Sequence, residues 1–195
     1  MTARLEQQIA FLNEADKLKS VVRATELCDS SRYENSAEHS WHLTLYALVL
    51  ADQAGPDVDI NLVIKMLILH DLVEIDAGDN PIFGNVDAAA MEAQEQIAAD
   101  RIFGLLPNDL RDDLRVIWEE FEAAETPSAQ FAKSLDRFQP PMQNLQSGGG
   151  SWVDFDVTEQ MIADRVGAKV SIGAPTLWDF ARHKIAAFFA ARRKA

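Results

Sequence analysis

Residues 67–79 read LILHDLVEIDAGD, which gathers one imidazole, His70, and four carboxylates, Asp71, Glu74, Asp76 and Asp79, into one short segment. Glu74 follows His70 by four residues and Asp71 by three, so on a helix the three share a face. The flanking run is the most apolar of the chain, and burying a His-Asp pair there is costly without partners. Two readings are open. The pair is satisfied by hydrogen bonds to other side chains and backbone, or a divalent cation relieves the repulsion among crowded, buried carboxylates. Imidazole and carboxylate donors with no thiolate suit Mn, Fe, Co, Ni or Zn.

Three further positions bear on the same chemistry. His39, in NSAEHSW, lies in the first turn of an expected helix and reads either as a cap-adjacent surface residue or as a ligand. His42, three residues on, reads as structural, and His183, between Arg182 and Lys184, as solvent-facing. Asp136, in FAKSLDRFQ, either pairs with Lys133 or Arg137 or joins the ligand set. Arg23, Arg32 and Lys133 are the cations available for an anionic substrate, with Arg32 in a polar loop reading first as an exposed charge. Trp41 and Trp152 read as packing residues, Trp152 close to a glycine-rich loop. The lone Cys28 excludes an intramolecular disulfide and a cysteine-rich zinc module, and fits a reducing compartment.

The elements that must position these residues are helical. Leu5, Ile9, Leu12 and Leu18 open the chain with helical spacing. Cys28–Asn35 reads as a loop. Asn35 with Glu38 three residues later predicts a capped start, so a helix is expected from Ser36 to about Ala54, before Gly55-Pro56. Asp57 or Asp59 caps the next, which is apolar almost all round, hence central, and ends near Ala77-Gly78. A loop with Asn80-Pro81 and Gly84-Asn85 follows. Helices are expected over Ala88–Leu106 and Asp109–Ala124, and from Thr126-Pro127 through Asp136, stopping or kinking at Pro140-Pro141. Gly148–Gly150 reads as a flexible loop. Asp156 or Thr158 opens a further helix, and Pro175 precedes a last one that ends in Arg192-Arg193-Lys194. No strand alternation, repeat, glycine-rich phosphate loop or nucleophile elbow is visible. The expectation is a single all-α domain.

Hydrophobic residues at 48% and charged ones at 25% exclude disorder as the overall state. A formal charge of −13 excludes broad nucleic-acid binding, which needs Lys and Arg against phosphates. The first residues show no signal peptide, and the apolar stretch Leu43–Ala51 is about half a membrane span. A soluble cytoplasmic protein with no membrane or nucleic-acid partner is expected.

His39, then His70-Asp71, then Asp136 resembles the H…HD…D signature of HD-domain metal-dependent phosphohydrolases. The segments EHSWHLTLYALVLA, KMLILHDLVEIDAGD and FAKSLDRFQPPMQN are similar to the small-protein branch related to 5′-deoxynucleotidases, and the resemblance runs from about Leu12 to Trp178. It implies a single-domain HD-type helical bundle over residues 1–195, with a metal-site core at about 36–140 and C-terminal helices, about 156–195, packed on it. It implies one divalent ion, with Mg added to the metals above, held by His39, His70, Asp71 and Asp136. This chain has no histidine between His70 and His183, which argues against the two-metal branches. By the same resemblance Glu74 and Asp79 assist catalysis, Arg23 contacts substrate with Lys133 a further candidate, and the protein is a homodimer. The family's Arg-Trp pair is Arg23-Ala24 here. The implied activity is release of phosphate from nucleoside or deoxynucleoside 5′-monophosphates. Hydrolysis of another small phosphorylated metabolite, or a non-catalytic metal- or nucleotide-binding role, are the alternatives.

Overall fold

Helix α1 (Ala3–Ala15) tightens into a 3-10 turn (Asp16–Ser20) and delivers the chain to a short antiparallel hairpin, β1 (Val22–Glu26) and β2 (Tyr33–Asn35). The computed structural model describes residues 2–84 and 87–193; Asn85 and Lys194, assigned above to a loop and to the end of the last helix, lie outside them. The hairpin corrects the expectation of a plain loop over Cys28–Asn35. Its strands are too short to show alternation in sequence, and tertiary context makes them: Thr25 and Glu34 face inward while Val22 and Tyr33 stay exposed. Asp29 folds the connecting turn by accepting the Ser31 N–H.

Asn35 accepts the Glu38 N–H and Glu38 accepts the Asn35 N–H, the reciprocal box that starts α2 (Ser36–Val49). Asp59 caps α3 (Ile60–Leu69) through the Asn61 and Leu62 N–H groups. The helix then narrows to a 3-10 turn (His70–Val73) before one more turn, α4 (Glu74–Ala77), which stops where Gly78 takes φ +75°. Asp87 caps α5 (Ala88–Phe103), and α6 (Asn108–Ala123) ends on left-handed Ala124.

Thr126 caps α7 (Pro127–Gln146), with Pro127 at its first position as expected. Of the expected stop or kink at Pro140-Pro141, the stop is corrected: the helix carries on to Gln146 through both prolines. Each proline removes one intrahelical N–H, but Phe138, Pro141, Gln143 and Asn144 are buried, and that packing outweighs the lost hydrogen bonds. Short helices α8 (Ser151–Asp154) and α9 (Glu159–Ile162) follow, then a wide turn (Ala163–Gly167), α10 (Ala168–Gly173) and α11 (Pro175–Arg192). At Gly173 the α10 backbone lies directly on α7. A Cβ there would collide with the Gln130 carbonyl oxygen, and the Gly173 N–H donates to Ser134 Oγ at 3.2 Å.

Two apolar clusters share α3. One packs Leu43, Met66, Leu67, Phe131 and Leu135 against Ile162, Val170 and Ile185. The other packs Phe11, Leu72, Ile102 and Phe103 around Trp118, whose indole N–H donates to the His70 carbonyl at 3.2 Å. His70 therefore sits on the seam between them. Trp41, expected between helices, is instead 62% exposed on α2. Among the described residues no helix is long and apolar enough to cross a membrane.

Candidate active site

The capped start of α2 makes His39 its fourth residue and turns it inward, where it is fully buried rather than cap-adjacent at the surface. Across from it, α7 presents Asp136, whose Oδ1 is 3.1 Å from His39 Nε2 and 3.7 Å from His70 Nε2. Ligand atoms of His39, His70 and Asp136 all lie within 4.8 Å of one another. Three elements far apart in sequence thus converge. Asp71 stands beside this trio, its Oδ1 2.9 Å from His70 Nε2.

The donor chemistry of the cluster calls for a cation. His70 Nδ1 is 2.9 Å from the Leu67 carbonyl oxygen, which can only accept, so Nδ1 carries the hydrogen. The lone pair then sits on Nε2, a buried atom with no hydrogen-bond partner among the described residues, facing the oxygens of Asp71 and Asp136. Acceptors pointed at one another need a proton or a metal ion between them. In the metal-free protein a proton answers: burial disfavours the charged imidazole, but Asp71 and Asp136 outweigh it and push His70 up to about 10. Burial alone would raise both carboxylates too. Instead His70 and Arg23 hold Asp71 down to about 2, and Arg137, His39 and His70 hold Asp136 well below the usual range. Two imidazoles and two carboxylates in this setting fit a divalent transition ion.

Arg23, from β1, is buried against the opposite side of the cluster. Its Nη1 is 3.0 Å from Asp71 Oδ2, 3.2 Å from Asp79 Oδ1 and 3.6 Å from Glu74 Oε1. Glu74 also accepts the Ser36 hydroxyl at 2.5 Å. Burial, reinforced by the negative charge of Asp71, pushes Glu74 up to about 9, so it holds a proton at neutral pH in the metal-free protein. Asp79 is likewise raised by burial, with Arg23 pulling the other way. Asp76 does not join them; it pairs with Arg101 on the outside.

A cavity opens over the cluster, with Arg23, Asp79, Lys133 and Arg137 on its polar side and Phe83, Trp152 and Phe155 on its apolar side. Lys133 reaches the cavity from α7, pairs with Glu122 at 2.9 Å and lies 3.9 Å over the Phe121 ring. Arg137, read from sequence only as a partner for Asp136, also lines the cavity and is 38% exposed. Arg32 stays outside, clasped by Glu38. His42 faces Gln139, and His183 is exposed. Sequence reasoning missed Glu34 on β2 and Gln143 on α7. Gln143 donates to Glu34 Oε2 at 3.1 Å, and Glu34 Oε1 is 3.4 Å from His39 Nδ1. The one available signal was the position of Glu34 directly before the Asn35 cap.

The profile of the HD domain family matches residues 15–178. A human protein named 5′-deoxynucleotidase HDDC2 is 28% identical over 153 residues, covering 75% of this chain and 74% of that protein. A 5′-deoxynucleotidase of Klebsiella pneumoniae is 25% identical over 156 residues, covering 75% and 78%. Among solved structures, one from Magnetospirillum magnetotacticum described as a predicted metal-dependent phosphohydrolase superposes with a TM-score of 0.90 at 42% identity, covering 97% of each chain. A Pyrococcus horikoshii protein at 21% identity and a TM-score of 0.61 shares the fold.

Proposed function

The chain belongs to the HD domain family of metal-dependent phosphohydrolases, and from that premise we propose that it releases phosphate from nucleoside 5′-monophosphates, the deoxy forms among them. The observation that carries the reading is the convergence of His39, His70 and Asp136 beneath a cavity that Arg23, Lys133 and Arg137 line among carboxylates. A chain of charge −13 repels anions at long range, so a phosphomonoester, with about two negative charges near pH 7, depends on the ion and on these three local cations.

His39, His70, Asp71 and Asp136 would hold the ion. Bound there, a divalent metal supplies positive charge at phosphoryl oxygens and lowers the pKa of water. The chain's own groups do the rest. Arg23 orients the phosphate, Lys133 and Arg137 neutralise its outward oxygens, and Glu74 carries the proton that the leaving 5′-oxygen needs. Asp79, beside Arg23 and at the cavity wall, orients the attacking water or the sugar. Phe83, Trp152 and Phe155 present a face on which a nucleobase can lie. The reading includes a cytoplasmic homodimer: Trp41, Leu48 and Val49 leave the outer face of α2 apolar and exposed, as a second copy would require.

Phosphate release is measured from ribo- and deoxyribonucleoside 5′-monophosphates, with 3′-monophosphates as controls, in Mn, Co or Mg and in chelator. Metal-dependent release from 5′-monophosphates is expected. No release from any of them with any metal would refute the reading.

A further inference from the structure

We infer that Glu34 is a positioning residue that joins the metal site to the substrate cation, fixing the ring of His39 and the guanidinium of Arg23 with one carboxylate. The inference rests on the reading of His39 as a metal ligand. Three buried polar atoms have no hydrogen-bond partner among the described residues and face one another: Glu34 Oε1, His39 Nδ1 and Arg23 Nε. Oε1 stands between the other two, 3.4 Å from the imidazole nitrogen and 3.6 Å from the guanidinium nitrogen. They form one acceptor and two donors, the set that satisfies itself with a small closing movement. Metal-site and catalytic hydrogen bonds are commonly long before the site is filled.

The rest of the Glu34 environment is built for that role. The side chain is 1% exposed, and a carboxylate at such depth is tolerated only when hydrogen-bonded. Its second oxygen is already held by Gln143. Gln143 reaches it because α7 continues past Pro140-Pro141, two turns beyond Asp136. The carboxylate is thus anchored from the helix that also supplies Asp136, and its free oxygen is aimed at His39. Accepting from Nδ1–H leaves the His39 lone pair on Nε2, the atom turned toward Asp136 and the ion position. The same oxygen holds Arg23 from its Nε side while Nη1 faces Asp71 and Asp79. Loss of Glu34 therefore loosens metal and substrate together, although Glu34 touches neither.

The test uses the full chain stripped of metal and titrated calorimetrically with Mn or Co. Wild type is compared with Glu34→Gln, Glu34→Ala and His39→Ala. Histidine ¹⁵N shifts in the metal-free protein report the His39 tautomer. Glu34→Gln is nearly isosteric and keeps the test valid if Glu34→Ala does not fold. The expected result for Glu34→Gln is metal affinity weakened about 10- to 100-fold, the range for outer-shell partners of metal-bound histidine. Glu34→Ala, which removes the acceptor altogether, also costs His39 its single Nδ1–H tautomer, and KM for the 5′-monophosphate rises in both variants. Wild-type metal affinity in a folded Glu34→Gln protein, or a wild-type His39 tautomer in a folded Glu34→Ala protein, would overturn the inference. Wild-type affinity in His39→Ala would instead overturn the ligand reading beneath it.

Discussion

Arg23→Met takes a guanidinium out from among four carboxylates while leaving a side chain long enough to fill its space. Asp71, Asp79, Glu74 and Glu34 all lie within 3.6 Å of its nitrogens, and the Arg23 side chain is only 12% exposed. Removing one partner of a buried ion pair costs about 3–5 kcal/mol, a large part of the roughly 5–15 kcal/mol that holds a domain folded. With a urea slope of about 2 kcal/mol per molar, the unfolding midpoint of the metal-stripped variant falls by about 2 M. The penalty also has a pH signature. Glu74 and Asp79 already sit above their ordinary values, so the folded state binds more protons than the unfolded one, and stability falls as pH rises above the unfolded carboxylate range toward about 9. Taking Arg23 away raises both further. The loss is therefore larger at pH 8.5 than at pH 5, where these carboxyls accept protons, and Arg23→Lys recovers part of it. Urea titration at both pH values reads the outcome. A loss below about 1 kcal/mol, the scale of a surface pair, or an equal loss at both pH values would refute the argument.

Glu74→Gln should retain metal and lose about 10²- to 10⁴-fold in turnover, read by elemental analysis and phosphate release together. His70→Ala and Asp136→Ala should lose the metal itself, and full occupancy in either would remove that residue from the ligand set. Metal at one hundred times its Kd adds about 2.7 kcal/mol, which raises the melting temperature by about 5–10 °C over the chelated protein. Asn35→Ala opens the capping box that turns His39 inward and should cost about 0.5–2 kcal/mol by thermal unfolding.

The parts of the fold that sequence made legible were those governed by local rules. Asn35 and Glu38, Asp59, Thr126-Pro127 and Pro175 each mark a helix start by their own chemistry, and the structure places starts there. The hairpin was illegible because its eight strand residues carry no alternation and owe their conformation to what lies beneath Thr25 and Glu34. Pro140-Pro141 misled for a related reason: a local rule predicts a break, and long-range burial of the following turn overrides it. The site divides the same way. His70-Asp71 and Asp136 stood in recognisable segments, and they meet. Glu34 and Arg137 were hidden, one in an apparent loop and one behind a neighbouring acid, because only three-dimensional proximity brings either to the cluster and its cavity.

The contact at Gly173 carries a consequence for how far this sequence can drift. Helix α7 supplies Asp136 on its front, while α10 rests on its back so closely that no side chain, not even a methyl group, fits between the two backbones. Gly173 cannot change alone. Any larger residue must part α7 from α10, and whatever share of that movement α7 takes displaces Asp136 relative to His39 and His70. An engineer seeking new substrates therefore has to leave this hidden crossing alone, although nothing bound in the cavity would ever touch it.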